Sequence, residues 1–367
     1  MPKILILTIS HGAAHRRAAE ALQAAFAELR PELRVELIDT LQYCTRWFRA
    51  YYDSYALPMR YWPSLWNRIE DYQHRQTSTS PGWLYEHGGR PLFRYLEAQR
   101  PEVVIATEVG VGEMAALYKR RSRARFFLVA LELMDFNRAW VQPEFDLYPV
   151  VHADLGSELE AAGAPRERIA TCGMPIHPVY AQLPERASAR ERLGLRADLA
   201  LLLVMFGGTG FGHPKRIMAV IEKVHAPFQA AFISGRNEAL EQELRQRVDG
   251  LPNARVLGWV DNMHEWMVAS DLLLSKPGGA TLMEAAACEL PLLVFDPLPG
   301  NERRTCQWIE KWKAGVWLRT PDEAAPVLER LLQNPEEREL LRQRARTLSH
   351  PRAAFDTAAE ILKRCAL

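Results

Sequence analysis

Several classes of protein are excluded by what this 367-residue sequence lacks. No run of about 18 uncharged apolar residues occurs, so a membrane-spanning helix is not expected. The first ten residues, M-P-K-I-L-I-L-T-I-S, carry an apolar run too short for a secretory leader, and they fit a first buried strand better. The formal net charge is only +1, which gives no overall attraction to nucleic acid.

Cysteine is scarce and scattered. The five cysteines form no C-x-x-C pair and are odd in number: Cys44, Cys172, Cys288, Cys306 and Cys365. This pattern is typical of reduced cytosolic thiols, and it argues against both a disulfide framework and a zinc site.

The familiar nucleotide motifs are also missing. The first glycine turn, T-I-S-H-G-A-A-H, lacks G-x-G-x-x-G, and Lys215 is outside Walker spacing in the second turn, M-F-G-G-T-G-F-G-H at 205–213. Four glycines in six residues of the second turn still imply that backbone approaches a phosphate or a facing domain closely.

Apolar strand-like runs alternate with helical patterns along most of the chain. They lie at residues 3–9, 35–37, 103–107, 126–131 and 147–151, and again at 200–206, 230–234, 254–257, 272–274 and 292–295. A long amphipathic pattern over residues 14–29 follows the first run. Such alternation predicts parallel sheets covered on both faces. The length and a proline-interrupted break near 173–195 predict two Rossmann-like halves, with a shared site in the cleft at the carboxyl ends of their strands.

One insertion, residues 43–85, breaks this rhythm. It holds twelve aromatic side chains, it interleaves them with Arg46, Arg49, Arg60, Arg68 and Arg75, and it contains no lysine. Trp and Tyr with Arg suit a surface that is apolar on one side and wet on the other, such as a membrane or a lipid acceptor. The alternative is a helical subdomain whose aromatics pack inward; nucleic acid is the weakest of the three interpretations.

The stretch from Ser275 to Glu302 carries the strongest signal. The letters S-K-P-G-G-A-T-L-M-E-A-A-A describe a glycine turn that opens a small-residue helix bearing one acid, Glu284. Glycine amides and a helix N-terminus bind phosphate, and a carboxylate further along the helix can accept hydrogen bonds from a ribose diol. This stretch therefore predicts half of a sugar-nucleotide site.

His15 stands at the start of the first predicted helix. A histidine that faces a cleft there could accept a proton or donate to an anion. The alternative is an ordinary surface residue at a helix start.

Together these motifs resemble the inverting glycosyltransferases of the monogalactosyldiacylglycerol synthase and processive diacylglycerol glucosyltransferase type, which are related to the N-acetylglucosaminyltransferase that forms lipid II. The first turn and the segments L-G-W-V-D-N-M, S-K-P-G-G-A-T-L-M-E-A and P-L-P-G-N-E carry the resemblance. It implies an α/β fold of GT-B type, with two Rossmann-like domains whose parallel sheets face each other across a cleft. Residues 1–175 form the acceptor domain with its insertion, and residues 176–367 form the donor domain, whose last helix is a candidate to pack back on the first.

The resemblance also assigns roles. It implies a UDP-hexose donor, no obligatory metal or other cofactor, and inversion at the anomeric carbon. The donor-binding positions are Gly12, Gly207, Gly208, Thr209, Trp259, Val260, Met263, Gly278, Gly279, Ala280, Thr281, Glu284, Asn301 and Glu302. Within this set the loop at 259–263 lies near uracil, Glu284 binds ribose, and Asn301 and Glu302 hold the sugar. The residues that lie near phosphate are Gly207, Gly208, Thr209, Gly278 and Gly279. His15 faces the acceptor and the diphosphate and is the candidate base or a diphosphate contact, assisted by Glu108 or Asp135.

This chain departs from the family pattern at the acceptor end. Ala14 replaces a motif glycine, Glu108 stands near a family histidine, and Leu133 and Asn137 occupy an acid and a histidine position. Asn301 replaces a glutamine, which leaves glucose, galactose and N-acetylglucosamine open as the transferred sugar.

The sequence therefore predicts transfer of a hexose from a UDP-sugar to a lipid hydroxyl such as that of diacylglycerol. The enzyme would be cytoplasmic and peripheral, on an anionic membrane surface at the inner face of the cell membrane, without a nucleic-acid partner. Two alternatives stay open: a UDP-sugar 2-epimerase, and a catalytically impaired sugar-nucleotide-binding protein at a membrane.

Overall fold

The computed structural model describes residues 3–10, 13–54, 61–131, 133–134, 136–206, 214–251, 253–295, 297 and 301–367, without the side chains of residues 13, 63 and 301. The chain divides into two compact units. The first comprises residues 1–178 and 352–367, and the second comprises residues 179–351. The division thus follows residue 178 rather than the predicted 175, and the end of the chain belongs to the first unit.

A four-stranded parallel sheet forms the centre of the first unit. Its strands are β1 (Lys3–Thr8), β2 (Arg34–Asp39), β3 (Val103–Ala106) and β4 (Phe127–Ala130). Their order is β2-β1-β3-β4, and every neighbouring pair is parallel. All residues of β1 and β3 are buried, as expected for apolar strands covered on both faces. Beside this sheet, β5 (Tyr148–Val150) pairs in parallel with β6 (Ile169–Thr171).

Helices cover this sheet and form the insertion. They are α1 (Ala13–Leu29), α2 (Arg46–Ser54), α3 (Pro63–Gln73), α4 (Gly82–Gly88), α5 (Arg90–Gln99), α6 (Val109–Ser122) and α7 (Ala153–Ala161). The last helix of the chain, which follows the second unit in sequence, spans Ala353–Cys365. Its apolar face, which includes Ala358 and Ile361, shares a core with Leu22 and Phe26 of α1. This buried face explains why the end of the chain belongs to the first unit.

A six-stranded parallel sheet forms the second unit. Its strands are β7 (Ala200–Met205), β8 (Phe228–Ile233), β9 (Ala254–Leu257), β10 (Leu272–Ser275), β11 (Leu292–Phe295) and β12 (Gly315–Leu318). Their order is β12-β11-β10-β7-β8-β9. The flanking helices are α8 (Arg186–Arg192), α9 (Pro214–Ile221), α10 (Glu238–Arg247), α11 (Met263–Ala269), α12 (Gly279–Ala287), α13 (Asn301–Trp312), α14 (Pro321–Gln333) and α15 (Pro335–Arg346). The helix at Ala353–Cys365 is α16.

The ten predicted apolar runs all correspond to strands, although β2 extends beyond the predicted residues 35–37 at both ends. Two strands were not predicted. Residues of β6 are half-buried or exposed, and β12 is an edge strand with three half-buried residues, so neither has the continuous apolar run that identified the others.

The insertion packs with some aromatics inward and others outward. Phe48, Trp66 and Tyr85 are buried. Six of the nine large apolar side chains that are exposed among the described residues also lie here: Trp47, Tyr61, Trp62, Leu65, Tyr72 and Trp83. The inward-packing interpretation therefore accounts for only part of the insertion. Within the described part of the chain, no helix combines the length and apolar character that a membrane crossing requires.

Candidate functional site

The first unit gathers its predicted residues at one edge of the sheet. Strand β1 lies between β2 and β3. After β1 the chain continues to β2 on one side, and after β3 it continues to β4 on the other side, so the strand order reverses between β1 and β3. Ligands of open parallel sheets bind where the strand order reverses, beyond the carboxyl ends of the strands. His15, near the start of α1, and Glu108, just before α6, both lie at this point.

The ring of His15 is held by the strand-β3 side of this edge. His15 Nδ1 lies 2.5 Å from the carbonyl oxygen of Thr107. A carbonyl can only accept a hydrogen bond, so Nδ1 carries the proton in the neutral ring and Nε2 is left as the basic nitrogen. Thr107 itself is fully buried, and its amide and hydroxyl are held by Leu7 and Thr8 of β1. The predicted candidate base is therefore placed in the tautomer that a base requires.

Glu108 serves as the N-cap of α6. Its Oε2 accepts a hydrogen bond from the backbone amide of Val111 at 2.9 Å, and the hydroxyl of Tyr52 donates to the same oxygen at 3.1 Å. An N-cap side chain satisfies a helix amide that would otherwise lack a partner. The structure thus gives Glu108 a structural task, next to the residue that holds His15.

A second carboxyl of α6 is buried beneath the insertion. Glu113 accepts hydrogen bonds from the backbone amide and hydroxyl of Thr79 and, at 3.2 Å, from the hydroxyl of Tyr85. Burial raises the pKa of the Glu113 carboxyl, and burial also raises the pKa of the Tyr85 hydroxyl well above its usual range. Sequence reasoning missed this network because Glu113 lies within an ordinary helical pattern.

The other acceptor-end positions have mixed outcomes. Gly12 and Asp135 lie outside the described residues. Asn137, at a family histidine position, is buried and accepts a hydrogen bond from the amide of Ala139 as the cap of a short 3-10 helix. Leu133, at a family acid position, packs against the core of the first unit. Both substitutions therefore have structural roles.

In the second unit the strand order reverses between β7 and β10. The glycine turn with Gly207, Gly208 and Thr209 follows β7 and lies outside the described residues. The turn Lys276–Gly278 and helix α12 follow β10, the neighbouring strand. The two glycine-containing stretches that sequence analysis assigned to phosphate therefore leave adjacent strands at the same edge.

The N-terminus of α12 has the form of an anion site. Gly278 is its N-cap residue. Among the described residues, no side chain caps the helix, and a Cβ built at Gly278 would meet no atom within 4 Å. Gly279, Ala280 and Thr281 form the first turn, whose amides have no acceptor within the helix. Glu284 follows on the same helix and is buried. This arrangement places amides that have no acceptor within the helix and a buried carboxylate on the same nine-residue helix.

Lys276 and Glu302 form an ion pair at this edge. Both side chains are largely buried, so the pair fixes the direction of the Glu302 carboxylate. Sequence analysis named Glu302 but assigned no role to Lys276, although the lysine stands within the S-K-P-G-G motif. The backbone of Asn301 begins α13, whereas its side chain lies outside the described atoms.

A third group lies where β8 and β9 end. The guanidinium of Arg236 stacks over the ring of Trp259 at 4.3 Å from its centroid, and Trp259 Nε1 donates to Asp261 at 2.8 Å. The left-handed backbone of Gly235, with φ of +66°, turns the chain toward this position. Trp259 is exposed.

Val260 and Met263 follow Trp259 at this corner, with Met263 as the first residue of α11. Arg236 was not predicted, since nothing in the sequence around it marks a site.

The cysteines and potential metal ligands give no competing centre. All five cysteines are unpaired, and burial raises the pKa of Cys44 to about 12 and that of Cys172 to about 11, so these thiols stay protonated at neutral pH. Across the described ranges, no three His, Cys, Asp or Glu side chains are grouped so that they could hold a metal ion.

Comparison with known proteins agrees with the motifs. Residues 15–176 match the family described as monogalactosyldiacylglycerol (MGDG) synthase, and residues 203–348 match the family described as glycosyl transferases group 1. Processive diacylglycerol beta-glucosyltransferases of Bacillus mycoides and Bacillus cereus are 26% identical over 377 residues, which cover 98% of this chain and 93% of each relative. The resemblance stated from the sequence is confirmed.

Solved structures share the fold. MurG of Acinetobacter baumannii superposes with a TM-score of 0.67 at 14% identity, covering 99% of this chain and 100% of that one. HepE of Anabaena in complex with UDP-glucose gives 0.58 at 14% identity, with the same coverage. The UDP-GlcNAc 2-epimerase of Neisseria meningitidis gives 0.59 at 12% identity and covers both chains fully. The predicted α/β fold of GT-B type with two parallel-sheet domains is confirmed.

Proposed function

We propose that this chain, a glycosyltransferase, moves a hexose from a UDP-sugar to the hydroxyl of a diacylglycerol-type lipid, with inversion at the anomeric carbon. The printed function of the Bacillus relatives, which align over nearly the whole chain, supports the lipid acceptor. HepE, a structural neighbour solved with UDP-glucose, supports the donor class.

The second unit supplies the donor half. The free amides of the first turn of α12 bind the diphosphate, and the open space beside Gly278 admits it. Glu284 binds the ribose hydroxyls, while Glu302, held by Lys276, receives hydroxyls of the sugar. The Trp259 corner accepts the uracil. The loop with Gly207, Gly208 and Thr209 is expected near the phosphates.

The first unit supplies the base. Transfer by direct displacement requires removal of the proton of the acceptor hydroxyl as the glycosidic bond to UDP breaks. His15 Nε2 takes this proton, because Nδ1 is bound to the Thr107 carbonyl. The charge that develops on the leaving UDP is stabilised by the helix amides, which matches the family expectation of a transfer without an obligatory metal or other cofactor.

The exposed face of the insertion supports a peripheral membrane location. Trp62 and Trp83 are 60% and 61% exposed. Three exposed arginines, Arg46, Arg68 and Arg75, lie in the same segment. Indole rings bind at the boundary of a bilayer, and arginines favour anionic lipid headgroups. We therefore assign the enzyme to the inner face of the cell membrane.

The observation that carries this proposal is the uncapped, open N-terminus of α12 next to the buried Glu284. The test is incubation of the full chain with UDP-glucose, UDP-galactose or UDP-N-acetylglucosamine, each with and without vesicles containing diacylglycerol. We expect UDP release only when lipid is present, together with a glycolipid product by mass spectrometry.

The same incubation separates the enzymatic alternative. The epimerase of Neisseria has a TM-score in the same range as HepE, so the fold alone does not distinguish an epimerase from a transferase. An epimerised sugar released without lipid would overturn the transferase proposal. Tight UDP binding with no turnover of any donor would overturn the claim of activity.

A further inference from the structure

The insertion contacts the N-terminal end of α6 through two tyrosine hydroxyls. Tyr52, on α2, donates to Glu108 Oε2, and Tyr85, on α4, donates to Glu113. A Cβ built on Gly110 would lie 2.3 Å from the hydroxyl of Tyr52 and 3.0 Å from that of Tyr85. The two tyrosine hydroxyls therefore occupy the space that a side chain at Gly110 would need.

Glu108 is directly connected to the group that holds His15. The carbonyl of Thr107 and the amide of Glu108 belong to one planar peptide unit, so rotation about the Glu108 φ angle redirects the carbonyl oxygen. Glu108 has a φ of −139°, and its side chain is tied to both the Val111 amide and the Tyr52 hydroxyl. These two contacts hold the residue whose amide shares a peptide plane with the Thr107 carbonyl, which accepts the hydrogen bond from His15 Nδ1–H.

The other hydrogen bonds of Thr107 involve its amide and its hydroxyl, which contact strand β1. Its amide donates to the carbonyl of Leu7, and its hydroxyl lies within hydrogen-bonding distance of the Leu7 carbonyl and the Thr8 hydroxyl. These bonds hold the residue just after the end of β3, but none of them involves its carbonyl oxygen. The direction of that oxygen depends on the residue that follows.

We infer that Tyr52 and Glu108 are positioning residues: seating of the aromatic insertion on α6 holds the Thr107 carbonyl on His15 Nδ1 and so keeps Nε2 as the basic nitrogen. The catalytic meaning of this alignment rests on the proposed function, whereas the tautomer is a property of the unliganded protein. Contact of the insertion with lipid and orientation of the base are thereby linked through one hydrogen-bonded path.

The test compares four variants of the full chain. Tyr52→Phe removes the link and leaves the helix cap, whereas Glu108→Thr keeps a capping oxygen but is too short to reach Tyr52. Tyr95→Phe is the matched control, because Tyr95 also donates from its hydroxyl to a glutamate, Glu36, far from α6 in sequence. His15→Gln identifies the His15 signal among the ten histidines in ¹⁵N spectra of the imidazole rings.

We expect the wild type and Tyr95→Phe to show His15 as the Nδ1–H tautomer. Tyr52→Phe and Glu108→Thr are expected to show a mixture of tautomers and a kcat for lipid glycosylation that is lower by about tenfold, the loss of one hydrogen bond to a charged group. The KM for the UDP-sugar should be unchanged, because the residues that the proposed function assigns to the donor lie in the second unit. A smaller folded fraction would also lower kcat without changing the donor KM, so the His15 tautomer is the measurement that separates positioning from a loss of stability.

Two results overturn the inference: a pure Nδ1–H tautomer in both variants, or the same loss of kcat in Tyr95→Phe. If Tyr52→Phe does not fold, Gly110→Ala supplies the second test, since the added Cβ displaces the Tyr52 hydroxyl while every hydrogen-bonding group remains. If the wild type releases no UDP with any donor, the proposed function fails, and the tautomer measurement still decides whether Tyr52 positions His15.

Discussion

Replacement of Glu284 probes the donor site most sharply. The residue lies five positions after Gly279 on α12, which places its Cα about 7.5 Å along the helix axis from the Cα of Gly279. Helical side chains lean back toward the N-terminus, so the carboxylate approaches the region where a diphosphate bound at the first turn would join its ribose. A ribose diol in that place donates to the carboxylate.

The expected magnitude follows from that contact. A hydrogen bond to a charged group contributes about 1.5–3 kcal/mol, so Glu284→Ala should weaken UDP binding roughly 10- to 150-fold. Glu284→Gln keeps the volume and one acceptor oxygen but loses the charge, so its effect should be smaller. Isothermal titration calorimetry with UDP measures both variants against the wild type.

The control is Glu310→Ala, which removes an exposed carboxylate on α13 that pairs with Arg319. Its UDP affinity should equal that of the wild type. Because Glu284 is only 7% exposed, thermal unfolding of each variant must be recorded, so that a packing defect is not taken for lost binding. Wild-type UDP affinity in a folded Glu284→Ala variant would refute the assignment of this helix to the nucleotide.

Three further predictions follow from other parts of the molecule. Joint replacement of Trp62 and Trp83 by Ala should weaken binding to anionic vesicles by roughly 2 kcal/mol per indole, measured by vesicle sedimentation. The control is Trp259→Ala, which removes an exposed tryptophan of the second unit and should sediment with vesicles like the wild type. Burial raises the folded-state pKa of Glu113, so the stability that the neutral carboxyl contributes is present at acid pH and is lost as pH rises through that pKa. The free energy of urea unfolding should therefore be equal for Glu113→Gln and the wild type at low pH, and larger for the variant at higher pH. A difference that does not change with pH would contradict the reasoning. Treatment with EDTA should leave UDP release intact, and loss of activity restored by added Mg²⁺ would reject a metal-free transfer.

Much of the fold could be predicted because its strands are buried on both faces. Runs such as those of β1 and β10 are continuous apolar segments followed by glycine turns, and this local pattern is enough to identify a parallel sheet. The S-K-P-G-G stretch could be assigned for a similar reason, since its turn, helix start and acid are contiguous in sequence. Both kinds of signal depend on neighbours along the chain.

The remaining features depend on residues distant in sequence. The contact between His15 and Thr107 joins positions 92 apart, and that between Tyr52 and Glu108 joins positions 56 apart. No spacing rule reveals such pairs, because sheet order and helix packing create them. Glu108 illustrates the difference: its residue type suggested an acid for catalysis, whereas its position makes it a helix cap. The pairing of Arg236 with Trp259 is another contact that only the fold creates.

The most direct test of the central claim is the anomeric configuration of the lipid product. The full chain is supplied with an α-linked UDP-hexose and diacylglycerol vesicles, and the purified glycolipid is analysed by proton NMR. Inverting transfer, with His15 removing the proton of the lipid hydroxyl, predicts a β-linked hexose on the glycerol. An α-linked product, or free epimerised sugar with no glycolipid, would contradict the account.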